Sequence, residues 1–406
     1  MDPAWNLVEL LAYIFLCRAV MRCFNGEVRE ILLALLNLGG LYLFLFYGRN
    51  QNYNARFVAY LVIVSVQYVA LRLFARRQGW LPWIAFMAPI GALVLIRFVP
   101  YQLYVALGQA LHLNWRAAPA MVGISYLAFR CSRLALEVRN TETPMPGLCA
   151  YLNFSFFLPV MVLGPISTYE EYRRGFAPER YDVPIGRAAL RILVGAVKYL
   201  FLGGLCSQLA YGNLLLDNHP HLWIDVPIAV VFYYLFLYCN FSGFCDMAIG
   251  AAAIIGIPVP ENFDNPFAAR NLQEFWNRWH ITLSQYMRDI VFAPLSKYLV
   301  RAGGPSFAIH AIAISIAVVF LLVGIWHGAG WNYLAFGAIH AIGLVINHYY
   351  SNALKKRLGR EGYKKYMANP WIHAAAVTLT FCYVATALGF FANTFEQLHQ
   401  ISSMLR

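Results

Sequence analysis

Two histidines in this chain sit where an ionisable side chain is costly to hold. In FWNRWHITLSQYMRD, residues 275–289, His280 shares a helical stripe with Leu272, Trp276, Trp279, Leu283 and Met287, while Glu274, Arg278 and Gln285 take the other face. In FLLVGIWHGAGW, His327 closes a long apolar run, and Gly324, Gly328 and Gly330 leave the backbone around it bare enough for a helix break or the close approach of a substrate. Desolvation disfavours the charged imidazole, so each ring is expected to be neutral. A neutral imidazole can take the proton of a hydroxyl, which is what a general base does in acyl transfer. Each also has a plainer reading: His280 as a hydrogen-bonded core residue, His327 as part of an interfacial belt with Trp326 and Trp331.

Polar residues lead into this region. NFSGFCDMAIG places Asn240, Ser242 and Asp246 inside an apolar run, and IPVPENFDNPF follows with three prolines. Polar groups and irregular backbone at membrane depth persist where protein buries them or water lines them, so the stretch reads as a cavity wall. His340 and His348 lie on one face of a later helix without nearby carboxylates, which suits packing better than metal binding. No GxSxG, HExxH, Walker or dinucleotide fingerprint occurs, and no metal site is expected.

The elements that must position these side chains are membrane helices. Of 406 residues 60% are hydrophobic and 12% charged, whereas soluble domains carry about 25% charged residues. The reading is an all-α polytopic membrane protein with about 10–12 transmembrane or re-entrant segments. Apolar runs fall near 6–22, 30–48, 57–74, 80–99, 119–137, 149–167, 188–210, 223–238, 243–258, 306–326, 331–350 and 371–392. Polar breaks at 100–118, 138–148 and 168–187 are short enough for loops. No repeat or linker divides the chain, so 1–406 reads as one membrane domain, its motifs concentrated in about 123–350.

Arg18 and Arg22 interrupt the first apolar run, which argues for a retained helix over a cleaved leader. Eight scattered cysteines without CxxC spacing read as small buried hydrophobes. The net charge of +12 gathers in short loops, which argues against a nucleic-acid partner. The densest cluster, KKRLGREGYKK at 355–365, is placed on the cytoplasmic side by the positive-inside rule. It suits lipid headgroups or the docking of an acidic soluble partner.

PENFDNPF, FWNRWHITLSQYMRD and GIWHGAGW, with 47 residues between the two histidines (327 − 280), together resemble the membrane-bound O-acyltransferase (MBOAT) family. GISYLAFR at 123–130 and LPVMVLGPISTYEEYRR at 158–174 are similar to the branch that carries D-alanyl groups to teichoic acid, whereas NFSGFCDMAIG is closer to the alginate and peptidoglycan O-acetylases. VFAPLSKYLVRAGG at 291–304 departs from the acetylase pattern.

The resemblance implies a ring of tilted helices around a thin centre with a funnel or tunnel. It implies His327 as the catalytic histidine and His280 as a second functional position, packed by Trp276 and Trp279. Asn277, Ser284 and Asp289 are expected as polar supports, with Trp326, Asn240 and Asp246 along the tunnel. It further implies a multi-pass protein of the bacterial cytoplasmic membrane with no tightly bound cofactor. The acyl group, D-alanyl first and acetyl second, would arrive on the phosphopantetheine of a small acidic carrier protein, or as acetyl drawn from acetyl-CoA. The acceptor would be a hydroxyl of an extracytoplasmic polymer or of an accessory protein. A transporter with a histidine proton relay is the reading from another class, although the paired broken helices of transporters are missing from the sequence.

Overall fold

A computed structural model describes residues 3–46, 53–98, 123–140, 143–177, 181–216 and 223–404. The expected break at 100–118 and His112, His219 and His221 lie outside them. The described residues are almost wholly helical, and the one β-type pairing among them is an isolated bridge between Phe263 and Trp279. Among the described residues six helical stretches are long and apolar enough to cross a membrane: Gly26–Leu45, Phe57–Phe74, Ile185–Leu216, Asp225–Ile255, Pro305–His327 and Pro370–Ala392. The chain is therefore a polytopic α-helical membrane protein, as its composition requires.

Several runs take a form that hydropathy did not foretell. The runs at 223–238 and 243–258 are one unbroken helix, Asp225–Ile255, because polar side chains at Asn240, Ser242 and Asp246 leave its internal backbone bonds intact. The run at 149–167 is instead two short helices, Leu148–Ser155 and Leu158–Met161, parted at Phe156–Phe157 just before Pro159. The expected loop at 168–187 contains the helix Tyr169–Arg174. Thr168 and Glu171 cap it reciprocally, satisfying two of its orphan amides.

The chain divides into two compact units, Met1–Gly195 with Phe244–Pro260, and Ala196–Gly243 with Glu261–Arg406. In the first, polar side chains join helices at depth, where an amide left unpaired would be costly. The Tyr13 hydroxyl donates to Asn37 Oδ1 at 2.7 Å, Asn37 Nδ2 to Asn153 Oδ1 at 3.0 Å, and Asn153 Nδ2 to the Glu30 carbonyl at 2.8 Å. Asp246 belongs to this unit, where Arg191 donates to its Oδ1 from Nε at 3.1 Å and from Nη2 at 3.0 Å.

The second unit holds both histidine motifs. Its Ala308–His327 and Trp331–Ala368 helices approach so closely at Gly324 and Gly337 that a Cβ on Gly324 would lie 2.5 Å from the Tyr333 carbonyl oxygen and 3.2 Å from Gly337 Cα. Backbone lies on both sides and has little room to shift. Gly324→Ala is expected to destabilise the protein by about 1–3 kcal/mol, visible as a lower melting temperature in detergent. An unchanged melting curve would show that the helices are not held at this spacing.

Candidate active site

The prolines of IPVPENFDNPF forbid a helix between residues 256 and 266 and leave extended backbone. That backbone pairs with the end of the next helix. Asp264 N–H donates to the Arg278 carbonyl at 2.9 Å and Ile281 N–H to the Asn262 carbonyl at 3.0 Å, on either side of the Phe263–Trp279 bridge. The single amphipathic helix expected across 272–287 is accordingly two, Leu272–Arg278 and Ile281–Met287. His280 stands between them at φ 45° and ψ 53°; Asn265 is the only other non-glycine residue with positive φ among the described residues. Left-handed backbone costs a histidine about 1–2 kcal/mol, so its neighbours must hold it there.

Asn271 begins the first of these helices by accepting from Glu274 N–H at 2.9 Å. Glu274 accepts in turn from Arg278 Nη2 at 2.9 Å, the expected i,i+4 pair, and from Arg270 Nε at 3.0 Å. Together they fix the outer face of the turn that carries His280.

His280 is 4% exposed. Its Nδ1 lies 3.2 Å from Asn262 Oδ1, which also receives the Thr282 amide at 3.2 Å and the Thr282 hydroxyl at 2.9 Å. A flipped amide would set Asn262 Nδ2 against the Thr282 N–H, donor against donor, so the oxygen must face this way. His280 Nδ1 therefore carries the proton, and the ring's lone pair is on Nε2. Phe241 meets the imidazole edge-on at 4.7 Å between centroids. Burial, and after it the neighbouring His327, push the imidazole down to about 3 from its ordinary value of 6.5.

Because this folded value is lowered, the stability tied to His280 is complete above pH 6.5. It is lost as pH falls toward 3, where the unfolded chain takes up a proton that the folded chain refuses. The slope is about 1.4 kcal/mol per pH unit. The loss in unfolding free energy between pH 7 and 5 should shrink by about 2 kcal/mol in His280→Asn, a residue that tolerates left-handed backbone. An equal loss in both proteins would mean that His280 is not held neutral.

His327 ends its helix, and the chain continues at Gly328 in extended geometry. Its ring is half-buried against Phe391 at 4.8 Å and Phe336 at 5.8 Å, with Tyr333 stacked at 6.5 Å. Trp326 touches both histidines, with centroids 4.4 Å from His327 and 6.4 Å from His280. The two rings thus share contact with one indole. Trp331, expected in an interfacial belt, is 75% exposed.

A cavity of about 210 Å³ is lined by the two helices that adjoin these histidines, Ile281–Met287 and Ala308–His327. Met287 and Leu283 line it from one helix; Ile312, Ile316, Val319 and Val323 line it from another. The second stripe climbs by helical steps of three and four along Ala308–His327, and its next step is His327. The longer stripe spans roughly 16 Å, so the space suits a slender linear group. Arg288, Asn347 and His348 supply the polar part of its lining.

The other anticipated residues separate. Asn277 and Ser284 line the cavity, and Asn277 Oδ1 accepts from Arg288 Nη2 at 3.0 Å. Asp289 is exposed. Trp279 packs on Phe263 and Phe275. Trp276 does not flank His280; it lies against His340, donating from Nε1 to His340 Nδ1 at 3.4 Å. His340 is fully buried in that aromatic core, the packing role its spacing suggested. Asn240 is half-buried in the second unit, whereas Asp246 is tied to Arg191 in the first. Asn262 and Phe241 were not singled out from sequence, although the asparagine between prolines in PENFDNP marks a polar group with no helix to serve. Among the described residues no three His, Cys, Asp or Glu side chains gather as metal ligands would.

Comparison with known proteins gives one family profile, membrane-bound O-acyltransferase (MBOAT), matched over residues 23–387. A teichoic acid D-alanyltransferase of Streptococcus thermophilus is 31% identical over 291 residues, covering 68% of this chain and 69% of that protein. A peptidoglycan O-acetyltransferase of Helicobacter pylori is 31% identical over 242 residues, covering 56% of this chain and 43% of that protein. A probable alginate O-acetylase of Pseudomonas aeruginosa is 30% identical over 227 residues, covering 55% and 42% respectively.

Proposed function

The chain belongs to the membrane-bound O-acyltransferase family, and from that premise we propose that it moves a D-alanyl group from a carrier-protein thioester to a hydroxyl of an extracytoplasmic polymer or intermediary. Family membership makes it an O-acyltransferase and sets aside the transporter reading. The D-alanyl group is favoured because the match covers 69% of the teichoic acid D-alanyltransferase, against 43% and 42% of those two acetylases and 56% of a probable alginate O-acetylase of Pseudomonas fluorescens. The observation that carries the mechanism is the pair of histidines in contact with Trp326, next to helices that line a slender cavity.

In this reading the thioester arm lies in the cavity with its carbonyl carbon near His327. The imidazole takes the acceptor's hydroxyl proton as the oxygen attacks that carbon. The new C–O bond forms, the C–S bond breaks, and the thiolate recovers the proton from the imidazolium. His280, kept neutral and oriented by Asn262, shapes the site and avoids placing a second positive charge beside that imidazolium. The acetyl reading keeps every step and changes only the donor. Its support is the NFSGFCDMAIG stretch and the two acetylase relatives.

The donor would be a small acidic carrier on the cytoplasmic side of a bacterial cytoplasmic membrane. Lys355, Lys356, Arg357, Arg360, Lys364 and Lys365 are all exposed along 355–365, where Gly359 kinks the helix at φ 64°. Carrier binding should weaken several-fold as salt rises from about 0.05 to 0.3 M, mainly through a slower association rate measured by surface plasmon resonance. Salt-independent association would remove this surface from the docking reaction. The reaction itself is tested by offering purified protein labelled D-alanyl carrier and labelled acetyl-CoA side by side. Label leaving only the carrier supports D-alanyl transfer, label leaving only acetyl-CoA supports the alternative, and label leaving neither overturns both.

A further inference from the structure

Two of the eight cysteines meet each other, and we propose that they are an oxidisable dithiol: a hydroperoxide closes Cys206 and Cys239 into a disulfide that slows acyl transfer. The pair itself does not depend on the reaction proposed above; its effect on rate rests on that reading. The two thiols, 33 residues apart in the chain (239 − 206), are hydrogen-bonded to each other. Cys17 and Cys131 instead meet hydroxyls, of Tyr13 and of Ser155 and Tyr151. A thiol that faces a hydroxyl has nothing to couple with, whereas one that faces a thiol has.

The meeting follows from how two helices of the second unit pack. Cys206 lies in Gly203–Gln208 and Cys239 in Asp225–Ile255. A helical side chain leans toward the N-terminus of its own helix, so Cys206 leans over the turn that begins at Gly203. Gly203 is buried and puts no side chain in the way; a Cβ there would lie 3.9 Å from Cys239 Cβ and 3.8 Å from Asn240 N. Just before it, Val197–Leu202 runs as a π-helix that carries Lys198. The Lys198 ammonium stands 5.7 Å from the Tyr238 ring centroid, and its charge reaches the Cys239 sulfur. Both cysteines are half-buried, and Phe201 and Leu205 beside Cys206 are exposed within a membrane-crossing stretch, so a small uncharged oxidant can arrive from the lipid side.

The thiolate is the nucleophilic form of cysteine, and Cys239, beside the ammonium, is the sulfur placed to attack first. Its sulfur takes one oxygen from the peroxide as the O–O bond breaks, giving a sulfenic acid and an alcohol, or water when the oxidant is hydrogen peroxide. The Cys206 sulfur then attacks that sulfur; the S–S bond forms, the S–O bond breaks and water leaves. Two thiols are oxidised to one disulfide and one peroxide is reduced. The bond draws the sulfurs from hydrogen-bonded contact to about 2 Å. Cys239 shares its turn of helix with Tyr238, which packs on Phe263, Phe267 and Trp279, and with Phe241, which meets His280 edge-on. A shift of that turn therefore reaches the His280 corner.

The test treats the full chain in lipid vesicles with hydrogen peroxide or with cumene hydroperoxide, which partitions into lipid, and then maps disulfides by mass spectrometry of the alkylated, unreduced digest. Acyl transfer and melting temperature are measured in parallel. A peptide crosslinked through Cys206 and Cys239 should form with at least one oxidant, and whichever acts faster tells whether the peroxide comes from water or from lipid. Transfer should fall about tenfold, and dithiothreitol should reverse both changes. Cys206→Ser and Cys239→Ser should transfer as the wild type does and lose the sensitivity to peroxide, which separates the disulfide from methionine oxidation. No crosslink with either oxidant, sulfenic or sulfonic products without a crosslink, or a crosslink that leaves transfer within about twofold of the reduced protein would overturn the proposal. Should the serine variants not fold, the crosslink and its reversal in the wild type still decide. A crosslink in a protein that transfers from no donor when reduced overturns the reaction and leaves the thiol pair standing.

Discussion

His327→Ala is expected to lower acyl transfer at least 10²–10⁴-fold, to the limit of detection, in a protein that still folds. The size follows from the role proposed for this ring: without a base, the acceptor hydroxyl must attack while it still carries its proton. The fold should survive because His327 is half-buried at the end of its helix, where its ring packs on Phe336 and Phe391. Transfer is measured with labelled donor, and folding by melting temperature and gel-filtration profile. A folded His327→Ala protein that retains transfer within about threefold of wild type would place the base elsewhere.

The second large effect belongs to a residue that touches no reacting atom in this mechanism. Asn262→Ala removes one oxygen that receives three hydrogens, from His280 Nδ1, Thr282 N and Thr282 Oγ1. All three groups are buried, and each donor left unmet costs about 1–3 kcal/mol, so a loss of roughly 3–5 kcal/mol is expected once the Thr282 hydroxyl has turned to another acceptor. The left-handed backbone at His280 loses its anchor at the same time, and a displacement of about 1 Å there is enough to cost about 10² in rate. Asn262→Asp separates the two consequences. Its carboxylate still accepts from all three donors, so stability should recover in part, but the new charge favours a protonated His280 and should make transfer fall as pH is lowered. If Asn262→Ala melts within about one degree of wild type, Asn262 does not hold this turn.

Much of the site was legible in the chain. The PENFDNPF, FWNRWHITLSQYMRD and GIWHGAGW motifs pointed to the family, and the prolines of the first foretold irregular backbone. The pairing of Glu274 with Arg278 follows from helical spacing and is present. The break at His280 was hidden because the apolar stripe continues in register from Trp276 through Leu283. Periodicity records which side chains are apolar and is blind to a single residue turning left-handed. Asp246 and Asn240 looked alike as polar residues in an apolar run, yet Asp246 has a cation partner 55 residues earlier in the chain.

The sequence by itself determined what is local: a membrane chain of apolar helices, the caps and prolines that bound them, and two histidines in settings too apolar for charge. Hydropathy, helical period and backbone chemistry act over a few residues, so they can be read from a few residues. Only the tertiary structure decided that Asn262 fixes the tautomer of His280, that Trp326 contacts two imidazoles 47 residues apart, and that the helix ending at His327 lines a cavity. Those facts depend on which distant groups meet when helices pack. Spacing along the chain does not encode such meetings, because a buried polar group accepts any partner that satisfies its hydrogen bonds, and packing alone selects one.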